Sequence, residues 1–346
     1  METITIKDIA RICGVGISTV SRAMNNHPDI NPETRAKIME VVEAYNFVPN
    51  NSARNLKITD SKTIAILVKG ISNPFFMKMI KVMEDEIQKK KYSLVLHHVD
   101  ANEDEVDVAI ELEKEKRLRG IIFLGGYFTH TKEKLERLQV PFVLSTITMT
   151  NGYRGNYSSV AVDDVKESFK MVDYLCKLGH KRIATITATE RDESIGKLRN
   201  EGYEKALEAN GIALDKQLVY YMDDQIDSYT MENGYAVMKQ LLASGKEFTA
   251  VYAISDTLAI GACKALLESG KRIPEDVSVA GFDGIDMSYF YSPAITTIQQ
   301  PFEDMAEETV AVLFNVIRKK AEHQHKIFDA KLCVGGSTRD LKMKLH

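Results

Sequence analysis

The stretch TIKDIARICGVGISTVSRAMNN, Thr5 to Asn26, decides how the front of the chain folds. Thr5 followed three residues later by Asp8 is a capping-box pattern. Ile6, Ile9, Ala10 and Cys13 then recur at helical spacing on one face, which makes a first helix. Gly14 and Gly16 flank Val15, so the backbone can leave that helix through a left-handed residue and turn within about three residues. A second helix is predicted from Ile17. Its apolar edge is narrow, Val20, Ala23 and Met24, while Ile17, Ser18, Ser21, Arg22 and Asn25 point elsewhere. Those five suit the major groove of DNA. Arg22 can pair with guanine through two hydrogen bonds, the hydroxyls of Ser18 and Ser21 can bond bases or phosphates, and Ile17 can contact a thymine methyl. A short helix with a polar outer face is also common in ordinary helical domains, so this motif alone leaves a plain structural role open.

The strings GVGISTVSRAMN (14–25), NPETRAKIMEVVEAYNFVPN (31–50) and SARNLK (52–57) resemble the N-terminal headpiece of the LacI/GalR family of bacterial transcriptional repressors, and the resemblance continues to the last strand. It implies a homodimer on a pseudo-palindromic double-stranded DNA operator. The DNA contacts it implies are Thr5, Ile17, Ser18, Thr19, Ser21, Arg22, Asn25 and Asn31, with Arg54 and Leu56 on a hinge segment whose leucine wedges into the minor groove. One departure is Gly16, where the family usually carries a serine N-cap; glycine is a tolerated cap.

At 346 residues the chain suits a small domain attached to a large bilobed one. No apolar run follows basic residues at the start, and no stretch approaches 18 apolar residues. A cytoplasmic protein without membrane contact is expected. Cys13, Cys176, Cys263 and Cys333 lie far apart, as reduced buried thiols would, so the Asn-x-Ser patterns at Asn50 and Asn156 carry no glycosylation meaning. Charge lends no support to DNA binding. Within residues 1–60, Lys7, Arg11, Arg22, Arg35, Lys37, Arg54 and Lys57 balance Glu2, Asp8, Asp29, Glu33, Glu40, Glu43 and Asp60. Such a headpiece must segregate its cations onto one face, and modest affinity per copy favours two copies acting together.

Asn31 and Pro32 open a third helix, with Ile38, Val41, Val42 and Tyr45 as its buried stripe. The headpiece is assigned to 1–48 and a linker that folds on DNA to 49–61. From Ser61 onward, short apolar runs alternate with amphipathic helices, the pattern of parallel sheets covered on both faces. TIAILV (63–68), SLVLHHV (93–99), GIIFLGG (120–126) and PFVLSTI (141–147) form a first set of strands. RIATITA near Arg182, LVYYM near Leu218, AVYAIS near Ala250 and VSVAGFD near Val277 form a second, followed by TTIQQ (296–300), a helix from Glu303 to Lys320 and a last strand near 331–334. The fold class is therefore a small all-α helix-turn-helix headpiece followed by a bilobed α/β core, 62–346, with two doubly wound parallel sheets. Lobe 1 is assigned to about 62–160 plus 293–321, and lobe 2 to about 161–292 plus 322–340. This plan resembles the type I periplasmic sugar-binding fold of the family's core.

Ligands of open α/β sheets bind past the carboxyl ends of strands. The resemblance places a small effector, mostly a sugar, against Asn73, Phe75, Phe76, Arg199, Ser255, Asp256, Asp283, Gln300 and Phe302. Asp283 in GFDG suits a carboxylate accepting two hydroxyls, and Phe75 or Phe76 an aromatic face under a sugar ring, though either can equally be core. Asp256 can instead cap the following helix. Thr146 falls where many relatives carry an aspartate, which leaves the effector's identity open. No catalytic arrangement, cofactor motif or metal site is present: Gly125 and Gly126 lack a phosphate-loop context, Asp163 and Asp164 read as helix caps, and His97 and His98 must face opposite sides of one strand. Met79, Ile80, Met83 and Ile87 read as core or dimer seam. The expected function is a sugar-responsive transcriptional repressor. A repressor answering to a protein partner, or a sugar-binding receptor without DNA function, are the rivals.

Overall fold

The computed structural model of the chain describes residues 4–24, 27–45, 47, 62–100, 103–127, 129–148, 155–189 and 191–342. The chain divides into two compact units, Met1–Ser61 and Lys62–His346. The first holds α1 (Ile6–Cys13), α2 (Ile17–Met24) and α3 (Pro32–Ala44). The backbone N–H and hydroxyl of Thr5 both donate to the Asp8 carboxylate, at 3.0 and 2.6 Å, which fixes the start of α1. Gly14, at φ +68°, ends it. The Asn31 side chain accepts from the amides of Glu33 and Thr34 to open α3 on Pro32. Ile9, Ala10, Cys13, Val20, Ala23, Ile38 and Val42 make the shared core. Tyr45 departs from its expected place in the stripe of α3. The helix ends at Ala44, Tyr45 leaves helical phase and is 54 % exposed, and Phe47 packs against the core instead.

The second unit carries two six-stranded sheets. Its elements in chain order are β1 (Thr63–Lys69), α4 (Pro74–Lys89), β2 (Ser93–Val99), α5 (Glu105–Lys116), β3 (Gly120–Leu124), α6 (Lys132–Leu135), β4 (Phe142–Ser145), β5 (Ser158–Val162), α7 (Asp164–Lys177), β6 (Ile183–Thr187), α8 (Ile195–Ala209) and β7 (Val219–Tyr221). Then come α9 (Met231–Ala243), β8 (Ala250–Ala253), α10 (Asp256–Glu268), β9 (Ser278–Asp283), α11 (Asp286–Phe290), β10 (Thr296–Gln299), α12 (Phe302–Ile317), β11 (His325–Phe328) and β12 (Lys331–Cys333). The first sheet runs β11-β5-β4-β3-β1-β2, all parallel; the second runs β12-β10-β9-β8-β6-β7, with β12 alone antiparallel. Buried runs such as Ile64–Val68 and Ser278–Asp283 have no exposed alternate residue because helices cover both faces.

Two strands escape the apolar-run pattern, and with them the lobe boundaries move. β5 is SSVAV, whose buried serines are satisfied by histidines near β11: Ser159 Oγ lies 2.9 Å from His325 Nδ1 and Ser158 Oγ 3.3 Å from His323 Nδ1. β11, HKIF, is a mostly exposed edge strand, so it has no apolar run to show. The sequence pattern assigns 293–321 to lobe 1, but β10 within that segment hydrogen-bonds to β9 and belongs to lobe 2; only α12 returns to lobe 1, packing on α4 and the first sheet. The same pattern assigns 322–340 to lobe 2, but β11 pairs with β5 in lobe 1, and only β12 and the residues after it lie in lobe 2. Met79, Ile80, Met83 and Ile87 of α4 are buried within this chain's own core. No helix of the described residues is long and apolar enough to cross a membrane.

α9 and α10 touch backbone to backbone. A Cβ at Gly261 would lie 2.0 Å from the Met231 carbonyl oxygen, and one at Gly234 2.2 Å from that of Leu258. Gly261→Ala is expected to destabilise the core by about 1–3 kcal/mol through overpacking, read as a lower urea midpoint; an unchanged midpoint would mean the two helices separate freely.

Candidate functional site

On the headpiece, packing of Val20 and Ala23 turns the rest of α2 outward. Ile17 is 45 % exposed, Ser18 and Arg22 are exposed, and Thr19 and Ser21 are partly buried. Arg22 meets no carboxylate within salt-bridge distance among the described residues, whereas Arg11 is tied to Asp8 at 2.7 Å. Thr5 and Asn31, both expected on DNA, are exposed at the helix starts they cap. Asn25, Arg54 and Leu56 lie outside the described residues.

In the core, the strand-end residues meet in one buried network. Asp283, the last residue of β9, adopts φ +114°, an uncommon conformation for a residue with a side chain. Its carboxylate accepts from Asn73 Nδ2 (2.9 Å), Gln300 Nε2 (2.9 Å) and Arg199 Nη1 (3.1 Å). Arg199, on α8, is 2 % exposed; its Nε donates to Asp164 at 2.8 Å, Nη1 also donates to the Ile254 carbonyl at 2.6 Å, and the guanidinium lies 3.7 Å from the Phe282 ring centre. Burial pushes the Asp164 carboxyl up to about 6, against the pull of Arg199. Burial also raises Asp283. For Arg199 burial works the other way, yet the charges of Asp283 and Asp164 outweigh it and keep the guanidinium charged.

Asn73 follows β1 and Asp283 ends β9, so their hydrogen bond ties lobe 1 to lobe 2. Asn73 also caps α4, accepting from Phe75 N–H at 3.0 Å. Lys78 pairs with Asp286, and Thr129 bonds Glu193, across the same divide. Asp163, expected to be a cap, does cap α7 through Lys166 N–H; Asp164, expected to do the same, is instead the buried partner of Arg199. Ser255 caps α10, while Asp256 accepts from the amides of Gly284 and Ile285 (2.8 and 2.9 Å) and from Thr297 Oγ1 (2.6 Å), fixing the loop after β9. Thr146, at φ +73°, is buried with its hydroxyl unpartnered among the described residues. Phe75 is buried, and the Phe302 ring faces the Lys78 ammonium.

Beside this network a cavity of about 390 Å³ opens between the lobes. Asn73 and Phe76 are the expected effector residues on its wall. The other eight lie outside that lining. Sequence reasoning missed most of the wall: Lys69, Tyr127, Asp192, Asp224, Asp227 and Tyr229. Several follow strand ends, Tyr127 after β3, Asp192 after β6, Asp224 after β7, so the rule that found Asn73 reaches them when applied to every strand. Lys69 Nζ sits 4.4 Å from the Tyr127 ring centre, 3.2 Å from Glu105 and 2.7 Å from the Glu103 carbonyl. Burial would raise Glu105, but His130 and Lys69 hold its carboxyl below the ordinary range. Among the described residues no group of three or more His, Cys, Asp or Glu side chains is placed to hold a metal ion.

A family model described as bacterial regulatory proteins of the lacI family matches residues 5–50, and one described as a periplasmic binding protein-like domain matches 172–338. The chain is 41 % identical over 330 residues to the HTH-type transcriptional regulator MalR of Clostridium butyricum, covering 94 % of this chain and 97 % of that one. The chain belongs to the lacI family. Its relatives are transcriptional regulators, not enzymes, and this lacI-family protein is a DNA-binding transcriptional regulator. Among solved structures, the transcriptional regulator CelR in complex with cellobiose superimposes with a TM-score of 0.71 at 26 % identity, covering 96 % of this chain and 99 % of that one. The lac repressor dimer bound to operator and the anti-inducer ONPF gives 0.76 at 23 % identity over 98 % and 100 %, which speaks for the fold alone.

Arg199→Met strands two buried carboxylates and is expected to cost this lacI-family regulator about 3–5 kcal/mol in urea denaturation; a loss below about 1 kcal/mol would show that the network is dispensable. Burial, then the Asp283 charge, pushes Asp256 up to about 7 from 3.8. Folded Asp256 thus holds its proton more firmly than unfolded, and the stability it contributes is complete below pH 3.8 and lost as pH rises through 7. Asp164 acts in the same direction. The core's denaturation midpoint is expected to fall between about pH 4 and pH 7, less steeply in Asp256→Asn; equal slopes would remove Asp256 from that titration.

Proposed function

We propose that this regulator represses transcription as a homodimer on a pseudo-palindromic operator, and that a small sugar-like ligand in the inter-lobe cavity changes its operator affinity. The observation that carries the ligand half is the cavity itself. At about 390 Å³ it falls in the usual range for small-molecule sites, and it offers aromatic faces and hydroxyl-binding carboxylates together. Asn73 lies both on its wall and in the Asp283 network, so occupancy and lobe arrangement share a side chain. A ligand that favours one lobe arrangement needs only about 1–3 kcal/mol of coupling to regulate. The cellobiose complex of CelR supports a saccharide as the first class to test.

The DNA half rests on α2, where Arg22, Ser18 and Ile17 are exposed together with no acid paired to Arg22 among the described residues. Arg22 reads guanine, and Thr5, the hydroxyls of Ser18, Thr19 and Ser21, and the side chains of Asn25 and Asn31 fix register on the backbone and neighbouring bases. Arg54 and Leu56 contact the minor groove. With no net charge in residues 1–60, two copies acting together supply the affinity that one lacks.

In fluorescence anisotropy, Arg22→Ala is expected to weaken operator binding by about 1–3 kcal/mol while random DNA is weakened less; equal loss on both would contradict base reading. Titrating the wild-type complex with cellobiose, maltose and ribose is expected to shift operator Kd at least about fivefold with one of them. No shift with any saccharide, while a protein partner shifts it, would replace the sugar reading.

A further inference from the structure

We infer that the inter-lobe cavity is built for an uncharged saccharide and rejects the same saccharide once it is phosphorylated. This rests on the reading of the cavity as a saccharide site. Among the described residues its lining holds four carboxylates, Asp100, Asp192, Asp224 and Asp227, against the ammonium of Lys69. That cation is already committed to Glu105 and to the Glu103 carbonyl, so it brings no spare positive charge. Arg199, outside the lining, is held between two carboxylates. His98 lies 3.6 Å from Asp100, and Lys197, exposed, is outside the cavity lining.

The places where a phosphate is usually held are filled by the protein's own oxygens. Helix N-termini and turns with inward amides bind anions. At the start of α8 the Ser194 hydroxyl oxygen takes the Gly196 amide at 3.3 Å and itself donates to the Asp192 carboxylate at 2.6 Å. At the start of α4 the Asn73 side-chain oxygen takes the Phe75 amide. In the turn after β3 the Glu105 carboxylate takes the Tyr127 amide at 2.9 Å. A phosphate entering the cavity would therefore find acceptors at all three positions. Its two charges would also face the rim carboxylates within about one Debye length. The field of those acids is visible on Tyr127, whose hydroxyl is pushed up by burial and then by Asp192, Glu105 and Asp224. An uncharged sugar meets the opposite situation: carboxylate oxygens accept its hydroxyls and the Tyr127, Phe76 and Tyr229 rings suit its C–H faces.

The test is calorimetry on the full chain with maltose and cellobiose beside their 6′-phosphates, at low and high NaCl. The uncharged form that binds is expected to do so at least about tenfold more tightly than its phosphate at low salt, with the gap narrowing as salt rises. In Asp224→Asn/Asp227→Asn, two exposed rim positions, the gap should shrink several-fold. Equal or tighter binding of the phosphate overturns the inference and leaves the saccharide reading standing. A gap indifferent to salt and to the double substitution overturns it too, assigning the rejection to shape. If no saccharide binds in either form, the saccharide reading falls and takes the inference with it.

Discussion

Arg199 is the constraint on which the core depends. A guanidinium withdrawn from water is tolerated only when its hydrogen-bonding positions and its charge are answered, and the answers here come from four places in the chain: Asp164 at the start of α7, the Ile254 carbonyl after β8, Asp283 at the end of β9, and the Phe282 ring. Asp283 in turn needs Asn73 from lobe 1 and Gln300 from the crossover between lobes. One buried cation thereby fixes the relative positions of elements that the sheets alone would leave independent. The uncommon backbone of Asp283 fits the same picture, since three donors hold it where its backbone alone would not settle.

The cavity sits beside this network rather than on top of it. Asn73, Arg199, Asp283 and Gln300, which the family resemblance associates with a ligand, satisfy one another, and the wall that a ligand would meet is made largely by the loops after β1, β2, β3, β6 and β7. Separation of this kind suits a switch: the wall can vary with the ligand while the network that joins the lobes is kept. Asn73, common to both, is the natural point of contact between them.

Much of this is legible in the chain. The glycine corner at Gly14, the Asn31–Pro32 helix start and the apolar runs of β1, β3, β8 and β9 declare themselves because local propensity and burial agree there. β5 and β11 do not, since one opens on two buried serines and the other is a polar edge; each is a strand because of its neighbour, a relation no window of sequence contains. Asp163 and Asp164 illustrate the same limit. They are adjacent and chemically identical, yet one caps a helix and the other meets Arg199, 35 positions away. Asn73, Asp283 and Gln300 could be picked out as strand-end polar residues and Arg199 from the family resemblance, but that they would bond one another depends on how the lobes meet.

The proposed ligand response requires that events in the cavity reach the network, and Gln300 separates the two because it bonds Asp283 without lining the cavity. The most direct measurement is the ratio of operator Kd with and without a saturating saccharide, in the wild-type chain and in Gln300→Leu, alongside saccharide affinity in each. The account predicts saccharide Kd within about threefold of wild type and a coupling ratio changed at least about fivefold. An unchanged coupling ratio would contradict it, placing the communication between ligand and DNA outside the Arg199–Asp283 network.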